Sequence, residues 1–157
     1  MATYTTAVGF NAGSAALPAD SLNKVHRVEI LLDFPKIIAA RLAAGLTALA
    51  ASDILEVIPI PAGSIVKEVG MVVTTAAGLT STLSIGDGSS QVGYLAATTV
   101  NSTGTSGGVP TLTSGAFAPT LSGGKVYAAA DTIDVTLGTA VPAAAVVRVF
   151  ATVTDIN

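Results

Sequence analysis

From Ala145 to Thr154 the side chains alternate without a break, with Val147, Val149, Ala151 and Val153 on one face and Val146, Arg148, Phe150 and Thr152 on the other. A period of two places successive side chains on opposite faces of an extended backbone, so this segment reads as a strand with one face in a core. Phe150 on the second face implies that this face is covered too. The same period returns along the chain. His26, Val28, Ile30 and Leu32 oppose Arg27, Glu29 and Leu31, and Ile133, Val135 and Leu137 share a face within 132–137. Leu79, Ser81, Leu83 and Ile85 alternate with Thr80, Thr82 and Ser84.

Further strands are expected over 53–59, where both faces are apolar, over 64–75, and over 125–127. Turn chemistry separates them: Pro61-Ala62-Gly63, then Ala76-Ala77-Gly78, read as the bend of a hairpin, then Gly86-Asp87-Gly88. One segment breaks the pattern. Asp33 is a good helix N-cap, Pro35 fits the first turn, and Phe34, Ile37, Ile38 and Leu42 recur at helical spacing before Gly45, predicting a short helix over 34–44. A helix of that length is stable only when packed. Residues 89–124, rich in Ser, Thr and Gly, read as a long irregular connection.

Seven or eight short strands, one early helix and no alternation of strand with helix predict an all-β fold. It is an antiparallel two-sheet sandwich of the jelly-roll kind, over 24–157, preceded by an extended arm over 1–23. In that arm the isolated large side chains Tyr4, Phe10 and Leu17 are spaced to fill pockets on a neighbouring molecule, and they are the candidate interface residues.

Composition limits the function. The chain has 28 Ala, 16 Gly, 12 Ser and 20 Thr among 157 residues, so its apolar content is in small side chains packed closely. Its mean hydropathy is +0.70, yet no stretch resembles a spanning helix, since the nearest, 37–52, carries Arg41 and Gly45. No membrane partner is expected, and the opening segment lacks the basic-then-apolar order of a secretory signal. The seven cations Lys24, Arg27, Lys36, Arg41, Lys67, Lys125 and Arg148 stand singly in a chain of net charge -3, which argues against a nucleic-acid partner. With 11% charged residues much of the surface is neutral, as in proteins that cover their surface by assembling.

No catalytic set is legible. The one histidine, His26, lies mid-strand beside Arg27 and Glu29, no G-x-S-x-G turn occurs, and zero cysteines exclude thiol chemistry. Asp131 and Asp134, three residues apart, point to opposite faces of a strand and would need a loop to share calcium. Ser122-Gly123-Gly124-Lys125 lacks the spacing of a phosphate loop. The chain is expected to be neither an enzyme nor a cofactor carrier. A weak internal echo relates 93–97, Gly-Tyr-Leu-Ala-Ala, to 126–130, Val-Tyr-Ala-Ala-Ala.

The run from Asp53 to Gly70, DILEVIPIPAGSIVKEVG, followed by TLSIGDG at 82–88 and YAAADTIDV at 127–135, resembles the small jelly-roll decoration, or cement, proteins on the capsids of tailed bacteriophages. The resemblance covers 25–155 and leaves the arm aside. It implies a protein on the outer surface of the virion capsid that clasps neighbouring major capsid protein subunits, forms homodimers or homotrimers, and has no catalytic residues. The rival expectation is a receptor- or glycan-binding module of a virion fibre or bacterial surface. That function would need a loop pocket of clustered polar and aromatic groups, and the chain has no Trp and three Tyr.

Overall fold

A computed structural model describes residues 3–4, 25–103 and 124–155. Its elements are β1 (Thr3–Tyr4), β2 (Val25–Asp33), α1 (Phe34–Ala43), β3 (Ile54–Ile60), β4 (Ser64–Thr75), β5 (Thr82–Asp87), β6 (Ser90–Thr99), β7 (Lys125–Tyr127), β8 (Asp131–Leu137) and β9 (Val146–Asp155). One sheet has the order β2-β9-β4-β7 and the other β3-β8-β5-β6, all antiparallel, with β1 added parallel to the β3 edge. From β2 to β9 the chain changes sheet at every step except β5 to β6. That is the double Greek key of a jelly roll, as the strand pattern predicts.

The alternation sets the faces. Val147, Val149, Ala151 and Val153 are fully buried on β9, and Val28, Ile30 and Leu32 line the core from β2. Leu83 and Ile85 meet Leu137 and Val135 in register from β5 and β8. Phe150, on the outer face, is 4% exposed. Its cover comes from its own sheet. The Arg27 guanidinium lies 4.0 Å from the ring centroid, and Gly70, opposite in register, leaves room that a Cβ would close to 2.7 Å from Phe150 Cζ.

α1 begins and ends as its sequence dictates. The Asp33 carboxylate accepts a hydrogen bond from the Lys36 amide at 3.1 Å. After the helix, Gly45 adopts φ +67° while the amides of Gly45 and Leu46 reach back to the carbonyls of Leu42 and Arg41, closing a Schellman motif. The buried stripe differs from the expected one: Phe34, Ile37 and Arg41 face inward, Ile38 is half-buried, and Leu42 is 78% exposed. Arg41 takes the inner place because its guanidinium donates to the Thr47 carbonyl from Nε at 3.1 Å and from Nη2 at 2.6 Å, folding 44–50 against the helix.

Two expectations fail. No hairpin joins 64–75 to 79–85, because Ala76-Ala77-Gly78 carries the chain from one sheet to the other. The hairpin partner of β5 is β6. The connection expected over 89–124 therefore contains a ten-residue strand, Ser90–Thr99. Its alternation is hidden by register shifts against β5 and by small residues on its exposed side. Residues 104–123 and, of the arm, 1–2 and 5–23 lie outside the described residues. No helix among the described residues is long and apolar enough to cross a membrane.

The connections gather at two ends. Phe34 N donates to Ala145 O, Gly138 N to Thr82 O and Ala77 N to Val100 O at the α1 end. At the opposite end Gly63 N donates to Tyr127 O, and the β5–β6 turn meets β7.

Candidate functional site

A group of buried, mutually hydrogen-bonded polar side chains lies at that second end, between the sheets. Asp87, at the end of β5, points inward and is 1% exposed. Its Oδ1 accepts from Ser89 N at 2.9 Å, Ser89 Oγ at 2.7 Å and Ser90 N at 3.2 Å, which fixes the turn Gly86-Asp87-Gly88. Its Oδ2 accepts from Tyr127 Oη at 2.5 Å and from the Lys125 ammonium, both on β7 of the other sheet. Lys125 also donates to Ser89 Oγ at 2.8 Å and lies 4.9 Å from the Tyr127 ring centroid. Tyr127 Oη meets Tyr94 Oη of β6 at 2.6 Å.

These contacts set the charges. Burial pushes the Asp87 carboxyl up, but the hydrogen bonds from Lys125, Tyr127 and Ser89 outweigh it, and the group lies below the ordinary carboxylate range. Burial pushes both Tyr94 and Tyr127 above the ordinary phenol value, so both stay neutral. The Asp87 carboxyl, saturated with donors, is ionised near neutral pH, and the two phenols are neutral. The cluster is a clamp between the β5–β6 hairpin and β7. Sequence spacing does not reveal it, since Asp87 reads as a turn residue and Lys125 as part of a failed phosphate loop. The one usable signal is the echo of 93–97 in 126–130, whose two tyrosines are the pair that meets.

The other sequence candidates disperse. His26 lies on the inner row of β2 opposite Val153, and its Nε2 is buried without a hydrogen-bond partner. Asp134, on the outer row of β8, is 5% exposed, pairs in register with Glu56 and accepts from Thr132 Oγ1 at 2.6 Å. Burial raises its carboxyl to about 6, with the nearby Glu56, Asp131 and Asp87 carboxylates adding to the shift. Asp131 accepts from the Thr132 amide at 2.9 Å. Among the described residues no group of three metal-ligating side chains forms. Tyr4 lies in β1 opposite Leu55, and Phe10 and Leu17 fall outside the described residues.

The described surface carries an apolar groove and several exposed aliphatic side chains. At the α1 end, Ile38, Arg41, Leu42, Leu46, Ala48 and Leu49 line an apolar groove of about 100 Å³. Leu79 at the same end is 66% exposed. On the sheet of β2, Val25 and Leu31 are 59% and 47% exposed on the outer face, flanking the ion pair Arg27 Nε to Glu29 Oε1 at 2.7 Å.

No protein-family profile matches the chain, and no curated protein matches it. Among solved structures, a chain from one described as the capsid of Ralstonia phage GP4 has the same fold, with a TM-score of 0.59 at 16% identity over 99% of this chain and 99% of that one. At that identity the likeness is one of fold.

Proposed function

We propose that this chain is a structural protein of a tailed-phage virion, a decoration or cement protein that binds the outer surface of the capsid. In this reading it clasps neighbouring major capsid protein subunits and acts as a homodimer or homotrimer, with 1–23 as a reaching arm and 24–157 as the sandwich. The observation that carries the reading is the end-to-end fold likeness to a chain of a phage capsid structure, at an identity where little but architecture is shared. It accords with the resemblance of 53–70, 82–88 and 127–135 to the decoration proteins.

The site supports the same conclusion. The polar groups around Asp87 bond to one another across the two sheets, while exposed aliphatic side chains stand at the α1 end and on β2. A glycan-binding module would need aromatic platforms at a loop pocket. Tyr94 and Tyr127 are buried at 1% and 3% exposure, and the groove beside α1 is aliphatic. β1 pairs with β3 of the same chain at a sheet edge, and a reaching arm would grip a partner by backbone pairing of the same kind.

The test is co-sedimentation of the purified protein with purified heads of a phage that carries it, stripped of the protein. Saturable binding at a fixed ratio to the major capsid protein is expected. A protein that stays in the supernatant at every concentration would overturn the reading.

A further inference from the structure

We infer that β2 is a self-pairing edge, and that two copies of this chain join β2 to β2 antiparallel about a two-fold axis at Val28, fusing their four-stranded sheets into one of eight strands. The inference deepens the homo-oligomer part of the proposed function and rests on it.

The first ground is the edge itself. Among the described residues β2 ends its sheet, and its nine residues pair with β9 in unbroken register from Val25–Thr154 to Asp33–Val146. In an antiparallel strand alternate residues turn their N–H and C=O away from the partner, so an edge strand presents a row of unpaired backbone groups. Natural edges are blunted by shortness, charged side chains, proline or bulges, and of these β2 has only the charges Arg27, Glu29 and Asp33. Among the described residues the other edges follow that rule: β7 has three residues, β1 has two, and β6 meets β5 with two register shifts. β2 has no proline, glycine or bulge. Among the described residues none pairs with the outer edge of β2, and β1 adds instead to the neighbouring sheet beside Ile54 and Leu55.

The second ground is charge complementarity. Apart from Asp33, whose carboxylate caps α1, the outer row of β2 reads Val25, Arg27, Glu29, Leu31, that is apolar, positive, negative, apolar. Antiparallel pairing about Val28 sets Arg27 of each copy opposite Glu29 of the other, and Val25 opposite Leu31. Every outer pair is then matched, and the two most exposed apolar side chains of the strand cover each other. Keeping each copy's outer row on one face of the joined sheet requires shifts of two residues at a time between the paired strands. Centring on Glu29 puts glutamate against glutamate, and centring on Arg27 puts arginine against arginine. Centring on Ile30 sets Arg27 against Asp33 but faces Glu29 with Leu31 and leaves Val25 unpaired. The pattern is self-complementary about Val28 alone, which is what an isologous two-fold interface requires.

The experiment uses the full chain. Sedimentation equilibrium is expected to give twice the chain mass. Arg27→Glu and Glu29→Arg each place like charges at two symmetry-related pairs and should weaken dimerisation by about tenfold or more, whereas the double swap restores both pairs and the dimer. Because the chain has no cysteine, register is read directly. A mixture of Val25→Cys and Leu31→Cys proteins should give a covalent dimer with a short bis-maleimide, while neither variant alone should. A monomer at tens of micromolar would overturn both the pairing and the homo-oligomer. An oligomer indifferent to the charge reversals, or without cross-linking in the mixture, would overturn the β2 pairing and leave the homo-oligomer standing. Binding to heads, measured separately, tests the virion reading by itself.

Discussion

Replacing Asp87 by Asn removes one charge from the clamp and keeps its shape. Asn Oδ1 can still accept from Ser89 and Ser90, but an amide nitrogen now faces the Tyr127 hydroxyl and the Lys125 ammonium, whose side chain is 19% exposed. Removing one partner of a fully buried ion pair costs about 3–5 kcal/mol. The residual exposure of Lys125 lets water offset part of this, so about 2–3 kcal/mol is expected, a large share of a typical domain's stability. Lys125→Met should cost less, about 1–2 kcal/mol, since Tyr127 and the Ser89 and Ser90 groups still donate to the carboxylate and the Met keeps the aliphatic stem. Because the main cost of Asp87→Asn is an ammonium without its carboxylate, the double variant should be more stable than Asp87→Asn alone. Urea unfolding at pH 7, read as midpoints at constant slope, completes the double-mutant cycle. Asp87→Asn within about 0.5 kcal/mol of the parent, or a double variant less stable than either single, would refute the electrostatic account.

Three further outcomes follow from the same geometry. Asp134 binds its proton more tightly folded than unfolded, so its contribution favours folding below the unfolded value of 3.8 and is lost as pH rises to about 6. Asp134→Asn should therefore flatten the fall in stability across that window and stabilise the protein at pH 7 by about 1–3 kcal/mol in urea titrations; an unchanged pH slope would contradict this. Gly70→Ala drives a methyl into the Phe150 ring and should lower stability by about 1–3 kcal/mol, with a thermal melt as the check. Deleting residues 1–20 should leave the circular dichroism of the sandwich in place and weaken occupancy on capsids, and equal occupancy would remove the arm from the account.

The sandwich was legible because β2, β8 and β9 have the period of two that only a half-buried strand needs. β6 was hidden for a physical reason: two register shifts break its alternation, and Ala96 and Ala97 on its exposed stretch look like loop composition. The mistaken hairpin at Ala76-Ala77-Gly78 shows the limit of turn chemistry. A glycine at φ +73° permits a reversal but does not say in which sheet the next strand will pair. The clamp was illegible because its members come from three separate strands and touch only through topology. The charge order proposed for β2 pairing, by contrast, is written in seven consecutive residues and needs the structure only to place β2 at the edge of its sheet among the described residues.

The central claim is that this jelly roll sits on a capsid, and cryo-electron microscopy of purified virions containing the chain tests it most directly. The account predicts jelly-roll density outside the shell, at fixed lattice positions, each copy contacting more than one major capsid protein subunit. A shell bare of that density, with the chain found in tail fibres or absent from the particle, would contradict it.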